Sequence, residues 1–147
     1  MSGYMATAIT DDWATPQWLF DQYNQLYHFD LDAAASLANR KVERYLGLDH
    51  ADPARRNGLE ATWDGRNVWV NPPYGRGLRD WLAKAHHEAK TKTVVMLLPS
   101  RTDTVWFHDY AIHHKITFIR GRLKYGDGKN PAPFGSLIIE MGLNDNL

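Results

Sequence analysis

"TVVMLLP", residues 93–99, is an unbroken apolar run, rich in β-branched residues and closed by a proline. Strict alternation would mark a strand with one wet face. A continuous run marks a strand covered on both faces, as in the parallel sheets of α/β proteins. Upstream, Leu78, Trp81, Leu82, Ala85 and Ala89 recur at helical spacing and predict a helix over about 77–90. Before that helix, "NVWV" (67–70) predicts a buried strand that stops at Asn71.

Downstream of Pro99 the pattern predicts a helix at about 103–114 and a strand "KITFIRGRLKYG" (115–126). A long turn "DGKNPAPFG" (127–135) and a last strand "SLIIEM" (136–141) follow. With no helix between them, these two strands are expected to pair as an antiparallel hairpin. Towards the N-terminus, Thr15-Pro16 offers a helix cap and a first-turn proline. Leu19, Tyr23, Leu26 and Tyr27 then predict an amphipathic helix over 16–27. "FDLDAAAS" (29–36) reads as a short strand running into a loop, 37–44 as a short helix and "RYLGL" (44–48) as another strand. The polar "DHADPARRNG" (49–58) is a loop. Strands alternating with helices predict an α/β domain: a mostly parallel sheet, a C-terminal antiparallel hairpin and helices on both faces. A single domain is expected over 13–147, after a flexible lead-in at 1–12.

At 147 residues, with 44% hydrophobic and 23% charged side chains, the chain suits one globular core. No apolar run reaches membrane-spanning length and the first residues lack a signal-peptide layout, so a cytoplasmic protein without membrane association is expected. The absence of cysteine excludes a disulfide framework, a thiolate metal site and a thiolate nucleophile. Seven histidines include the adjacent pairs His86-His87 and His113-His114, but no His-Glu-x-x-His spacing, and no metal site is expected. Net charge is zero, yet residues 1–39 hold five Asp and no Lys or Arg. All 17 basic residues therefore lie in 40–147 against 12 acidic ones, which leaves room for an anionic partner there.

Ligands of open α/β sheets bind beyond the carboxyl ends of the strands. That rim comprises 32–36, 49, 71–75 and 99–103. On it, "VWVNPPYG" (68–75) ends a strand in a rigid tip. The residue before a proline is held extended, which aims the Asn71 side chain out of the strand end. The Asn71 carboxamide oxygen and the Pro72 carbonyl then form two acceptors at fixed separation, suited to the two donors of one NH2 group. Accepting both N–H bonds localises the nitrogen lone pair and makes the amine more nucleophilic without a strong base. Tyr74 supplies a ring on which a flat, nitrogen-bearing ring can stack, for about 1–3 kcal/mol. The competing reading of the isolated tetrapeptide is an ordinary turn closing a strand.

The Asn-Pro-Pro-Tyr tetrapeptide resembles the catalytic motif of S-adenosylmethionine-dependent amino-methyltransferases. The ordered blocks "TPQWLFDQ", "LDAAAS", "NPPYGRG", "LLPSRTDTVWFHDY" and "IRGRLKYG…APFGSLII" resemble, more closely, the phage-type Dam-like DNA N6-adenine methyltransferases, from about Trp13 to Met141. The resemblance implies a Rossmann-like methyltransferase fold. It implies that Asn71 and Pro72 hold adenine N6 at the Asn71-Pro72-Pro73-Tyr74 tip, and that Tyr74 stacks on a base flipped out of double-stranded DNA. S-adenosylmethionine is the implied cofactor, S-adenosylhomocysteine the product, and no metal is required. The implied setting is the cytoplasm of a bacterial host, with the chain encoded by a phage or prophage.

By the same resemblance the cofactor contacts are Asp32, Ala33, Ala34 and Ser36 in the loop after the first strand, Thr15 and Pro16 at a helix N-terminus, Asp49 and Asn71. Glycines usually permit close backbone approach in such a loop, and this one has only alanines. A strand end packed by alanines, an ordinary helix cap and an exposed loop aspartate are the respective alternatives. Arg120, Arg122 and Lys124 recur at period two on one face, opposite Ile119, Leu123 and Tyr125. With Lys129 they form a basic ridge for phosphates or, alternatively, a charged guard on an edge strand. Four phosphate contacts would give a log–log salt slope of about −3.6. Arg101 on the rim either contacts a phosphate or caps a helix. The loop 126–135 either reaches into a groove or is a simple turn. With no separate target-recognition domain in view, loose specificity, a homodimer, or readout by that loop and 49–58 is expected. Two further functions stay open: methylation of an RNA adenine or a protein glutamine amide, and a catalytically silent nucleic-acid-binding protein on the same fold.

Overall fold

In the computed structural model, which describes residues 13–142, the chain runs α1 (Gln17–Tyr27), β1 (Leu31–Asp32), β2 (Asn67–Val70), α2 (Leu78–Glu88), β3 (Thr93–Pro99), α3 (Val105–Asp109), β4 (Lys115–Phe118) and β5 (Ser136–Met141). Single 3-10 turns lie at Pro53–Arg55 and Ala111–His113. The lead-in expected at 1–12 lies outside the described residues. The five strands stand in the order β1-β2-β3-β5-β4. β1, β2 and β3 are parallel, and β5 runs antiparallel between β3 and β4. Val94–Pro99 and Ser136–Met141 are buried at every position, so the centre of the sheet is covered on both faces, as the "TVVMLLP" run requires.

α1 buries Leu19, Phe20 and Tyr23. Its Phe20 ring meets the Trp69 ring edge-on at 5.4 Å, which docks the helix on β2. Leu26, expected on the apolar stripe, is 67% exposed, and Phe20 serves in its place. α2 buries Leu78, Trp81, Leu82 and Ala85, and Trp81 stacks on the fully buried Trp63. No helix among the described residues is long and apolar enough to cross a membrane.

Several elements differ from the sequence expectations, each for a local reason. α1 starts at Gln17; Pro16 stands outside it, and the Thr15 hydroxyl makes no helix-capping bond. No helix forms over 37–44. There Ser36 and Asn39 exchange side-chain-to-backbone hydrogen bonds, and the Leu37 N–H donates to Asp49, so side chains take donors a helix would use. "RYLGL" contributes a single parallel bridge, Tyr45 to Asp32, on the outer side of β1. The helix expected at 103–114 is a short α3 capped by Thr104, broken at Tyr110 and followed by the 3-10 turn. The strand expected over 115–126 ends at Phe118, because the backbone turns left-handed at Gly121 (φ 77°). Its burial alternation survives outside the ladder: Leu123 and Tyr125 are buried, while Arg120, Arg122 and Lys124 are exposed.

Candidate active site

β2 delivers Asn71 to the carboxyl end of the sheet, where Pro72 is buried and Pro73 exposed. The Asn71 amide nitrogen donates to the Trp13 carbonyl and, at 3.0 Å, to the Thr15 hydroxyl. A carbonyl can only accept, so the amide nitrogen faces residue 13 and the oxygen faces away. That oxygen, Asn71 Oδ1, is buried and has no hydrogen-bond partner among the described residues. A buried acceptor left unpaired costs about 1–3 kcal/mol in desolvation. The chain thus holds an oriented, unsatisfied oxygen at its strand tip. Thr15, read from sequence as a helix cap, is 5% exposed and positions this amide instead.

Tyr74 turns inward. It is 2% exposed, and its hydroxyl donates to the Leu97 carbonyl at 3.0 Å. The Tyr125 and Phe134 rings meet it edge-on at 6.2 and 5.7 Å, and Trp13 lies 5.1 Å from Phe134. Burial, followed by the Tyr125 hydroxyl, pushes the Tyr74 phenol well above its ordinary pKa, so it stays a neutral donor. The covering rings come from the 119–135 connection, which ties back through Gly126 N–H to the Ala14 carbonyl and through the Gly135 carbonyl to Ser100 N–H.

A cavity of about 600 Å³ opens beside the tip, within the usual range for a small-molecule site. Asn71 and Pro73 form one wall, Ala33, Ala34, Ala35 and Ser36 another, and Leu46, Gly47, Leu48, Asp49, Arg56, Asn57 and Gly58 a third. The Asp49 carboxylate accepts from Leu37 N–H and from the Tyr45 hydroxyl. The Leu37 N–H, first among these, holds its pKa below the usual carboxylate range. A carboxylate offers about four lone-pair sites, so Asp49 keeps capacity for a ligand hydroxyl. Leu48 is 87% exposed, an apolar surface presented to the same cavity. A second cavity of about 530 Å³, lined by Asp30, Arg66, Lys90 and Lys92 among others, lies at the opposite ends of β2 and β3, away from the tip.

The glycine-free loop "AAAS" obtains its close approaches from glycines elsewhere. A side chain on Gly47 would sit 1.7 Å from the Ala35 carbonyl oxygen, and one on Gly58 would sit 2.3 Å from that of Ala33. Sequence spacing gave no sign of these two positions, because both face the loop from distant stretches. Asp32 does not line the cavity. It is 3% exposed and accepts from Lys41 N–H at 3.0 Å and Ala34 N–H at 3.4 Å, tying down both ends of the loop. Burial raises its pKa to about 7 against the opposing effect of those N–H groups. Pro16 is buried at the start of α1 and is also not part of the cavity wall.

Arg101, Arg120, Arg122, Lys124 and Lys129 are all exposed. Arg101 stands just past β3, close enough to act electrostatically on Tyr74. Arg122 reaches the Ala132 carbonyl at 3.4 Å, and the other four show no side-chain partner among the described residues. Arg76, two residues beyond Tyr74, is likewise exposed and was not singled out from sequence. His86 and His114 share a hydrogen bond of 2.8 Å.

The family described as DNA N-6-adenine-methyltransferase (Dam) matches residues 4–135. A protein named DNA N-6-adenine-methyltransferase from Haemophilus phage HP1 (strain HP1c1) is 40% identical over 100 residues, covering 66% of this chain and 54% of the relative. One of the same name from Escherichia phage T1 is 33% identical over 161 residues, covering 91% of this chain and 63% of the relative. The chain therefore spans between about half and two thirds of the length of the curated relatives it matches.

Proposed function

Because the chain belongs to the DNA N-6-adenine-methyltransferase (Dam) family, we propose that it transfers a methyl group from S-adenosylmethionine to the exocyclic N6 of an adenine in double-stranded DNA. One observation carries this: the Asn71 amide is fixed by Trp13 and Thr15 with its oxygen buried and unpaired beside a ligand-sized cavity. An adenine N6 donates two N–H bonds. Asn71 Oδ1 takes one and the Pro72 carbonyl the other, which localises the nitrogen lone pair. Neither oxygen is a base, so N6 keeps both protons until it is alkylated and then loses one to water.

The cavity residues fit the cofactor. Small side chains at Ala33, Ala34 and Ser36 leave the backbone open, Asp49 accepts from ribose hydroxyls, and Leu48 offers an apolar face to a purine. S-adenosylmethionine, when bound, supplies a methyl on a sulfonium, an intrinsically good leaving group. The protein's share is then to position, orient and exclude water. The reversed β5, inserted between β3 and β4 in an otherwise parallel sheet, supports a Rossmann-like methyltransferase domain. Arg101, Arg120, Arg122, Lys124 and Lys129 are the phosphate contacts, and Tyr74 is the surface for the flipped base. The phage origin of the relatives supports action within a bacterial host.

The test supplies methyl-labelled S-adenosylmethionine with duplex DNA, with RNA and with glutamine peptides, then identifies the labelled product by mass spectrometry. Label in N6-methyldeoxyadenosine is expected. Label confined to RNA or peptide, or none with any substrate, overturns the proposal.

A further inference from the structure

The function proposed above puts the Tyr74 ring against a flipped base, yet that ring is 2% exposed. Something must leave before a base can arrive. Two rings cover it, Tyr125 at 6.2 Å and Phe134 at 5.7 Å, both edge-on. Tyr125 is held in place: its hydroxyl lies 2.8 Å from Ser136 Oγ and 3.4 Å from the Tyr74 hydroxyl, and the residue is 5% exposed. Phe134 has no polar anchor and is half-buried. It is a flat six-membered ring, comparable in outline to the pyrimidine part of adenine.

We infer that Phe134 is a placeholder for the target base: its ring fills the slot against Tyr74 and swings out as the base enters. This rests on the proposed base-flipping function and names the residue that prepares its pocket. The backbone on either side favours a side-chain movement. Pro133 fixes φ before Phe134, and after it the Gly135 carbonyl is bonded to Ser100 N–H at 2.9 Å. Trp13, itself half-buried, meets the Phe134 ring edge-on at 5.1 Å, so the contact to be broken on that side is apolar. Arg120, Arg122, Lys124 and Lys129 stand exposed on the same 119–135 connection. Phosphates gathered there bring the duplex to the segment that carries the placeholder. Phe134 is thus a positioning residue, keeping the slot closed and dry until DNA is bound.

The placeholder lowers the fraction of molecules able to take a free base, so removing it should raise apparent affinity. The probe is 2-aminopurine deoxyriboside, a fluorescent adenine isomer that is quenched on stacking. Phe134→Ala should bind it at least about tenfold more tightly than the native chain, and Tyr74→Ala in the same background should abolish the gain. A purely structural role for Phe134 would weaken binding or leave it unchanged. Phe134→Leu, which keeps the core filled, should show a smaller gain of severalfold and decides the matter if the alanine variant does not fold. Equal or weaker binding in a folded variant overturns the inference. Methylation of duplex DNA by the native chain, measured alongside, reports on the proposed function separately. DNA methylated with no nucleoside gain removes only the placeholder; a nucleoside gain without methylation removes only the catalysis.

Discussion

Replacing Asp32 by asparagine should change the pH dependence of stability in a calculable way. The carboxylate is 3% exposed, its folded-state pKa is raised to about 7 by burial, and its ordinary value is 3.8. Between those values the folded chain binds a proton that the unfolded chain has released. Stability therefore falls as pH rises through this window and levels off above about 7. The whole shift corresponds to about 4 kcal/mol, of which somewhat more than half falls between pH 5 and pH 8. Asparagine carries no titrating proton, and its carboxamide oxygen still accepts the Lys41 N–H. The weaker bond from Ala34 N–H is lost, at a cost of about 1 kcal/mol that does not vary with pH. The assay is urea unfolding of both chains at pH 5, 6, 7 and 8. The variant should gain on the native chain by about 2 to 3 kcal/mol across the series. Carboxylates with depressed pKa values, such as Asp49 and Asp64, act in the opposite sense but equally in both chains, so they cancel in the difference. Parallel curves would show that Asp32 ionises at no unusual cost, and the account of the loop it anchors would be wrong.

Two further outcomes bear on the site. Thr15→Val removes one of the two acceptors that fix the Asn71 amide; kcat should fall about tenfold in a methyl-transfer assay, with cofactor affinity by calorimetry unchanged. Replacing Arg120, Arg122 and Lys124 together by glutamine should reduce the magnitude of the log–log salt slope of DNA binding by about 2.7, measured by fluorescence anisotropy; an unchanged slope would return these side chains to the role of an edge guard.

The sheet centre and its tip were legible because their signals are local. A continuous apolar run at 93–99 and a strand stopped by two prolines need no distant partner to be understood. The alternation of Leu123 and Tyr125 with Arg122 and Lys124 also foretold burial, although Gly121 takes that stretch out of the ladder. What escaped the sequence is long-range. Thr15 looks like a helix cap until Asn71, 56 residues away, claims its hydroxyl. The alanine loop looks poorly suited to a ligand until Gly47 and Gly58 close on its carbonyls. Asp32 sits where a ligand contact was expected, but it is buried away from the cavity against the Lys41 and Ala34 N–H groups, and the cavity wall falls to Asp49, Leu48 and the 56–58 stretch. Phe134, in a loop read as reaching into a groove or as a simple turn, meets the Tyr74 ring across 60 residues of chain.

The central claim is that a fixed pair of oxygens at the end of β2 prepares an amine for alkylation. Asn71→Ala removes one of the pair, along with the bonds to Trp13 and Thr15. N6-methyladenine formation in duplex DNA should drop by at least about a hundredfold, while calorimetric affinity for S-adenosylmethionine changes less than about threefold. Methylation at the native rate in that variant would contradict the account at its root.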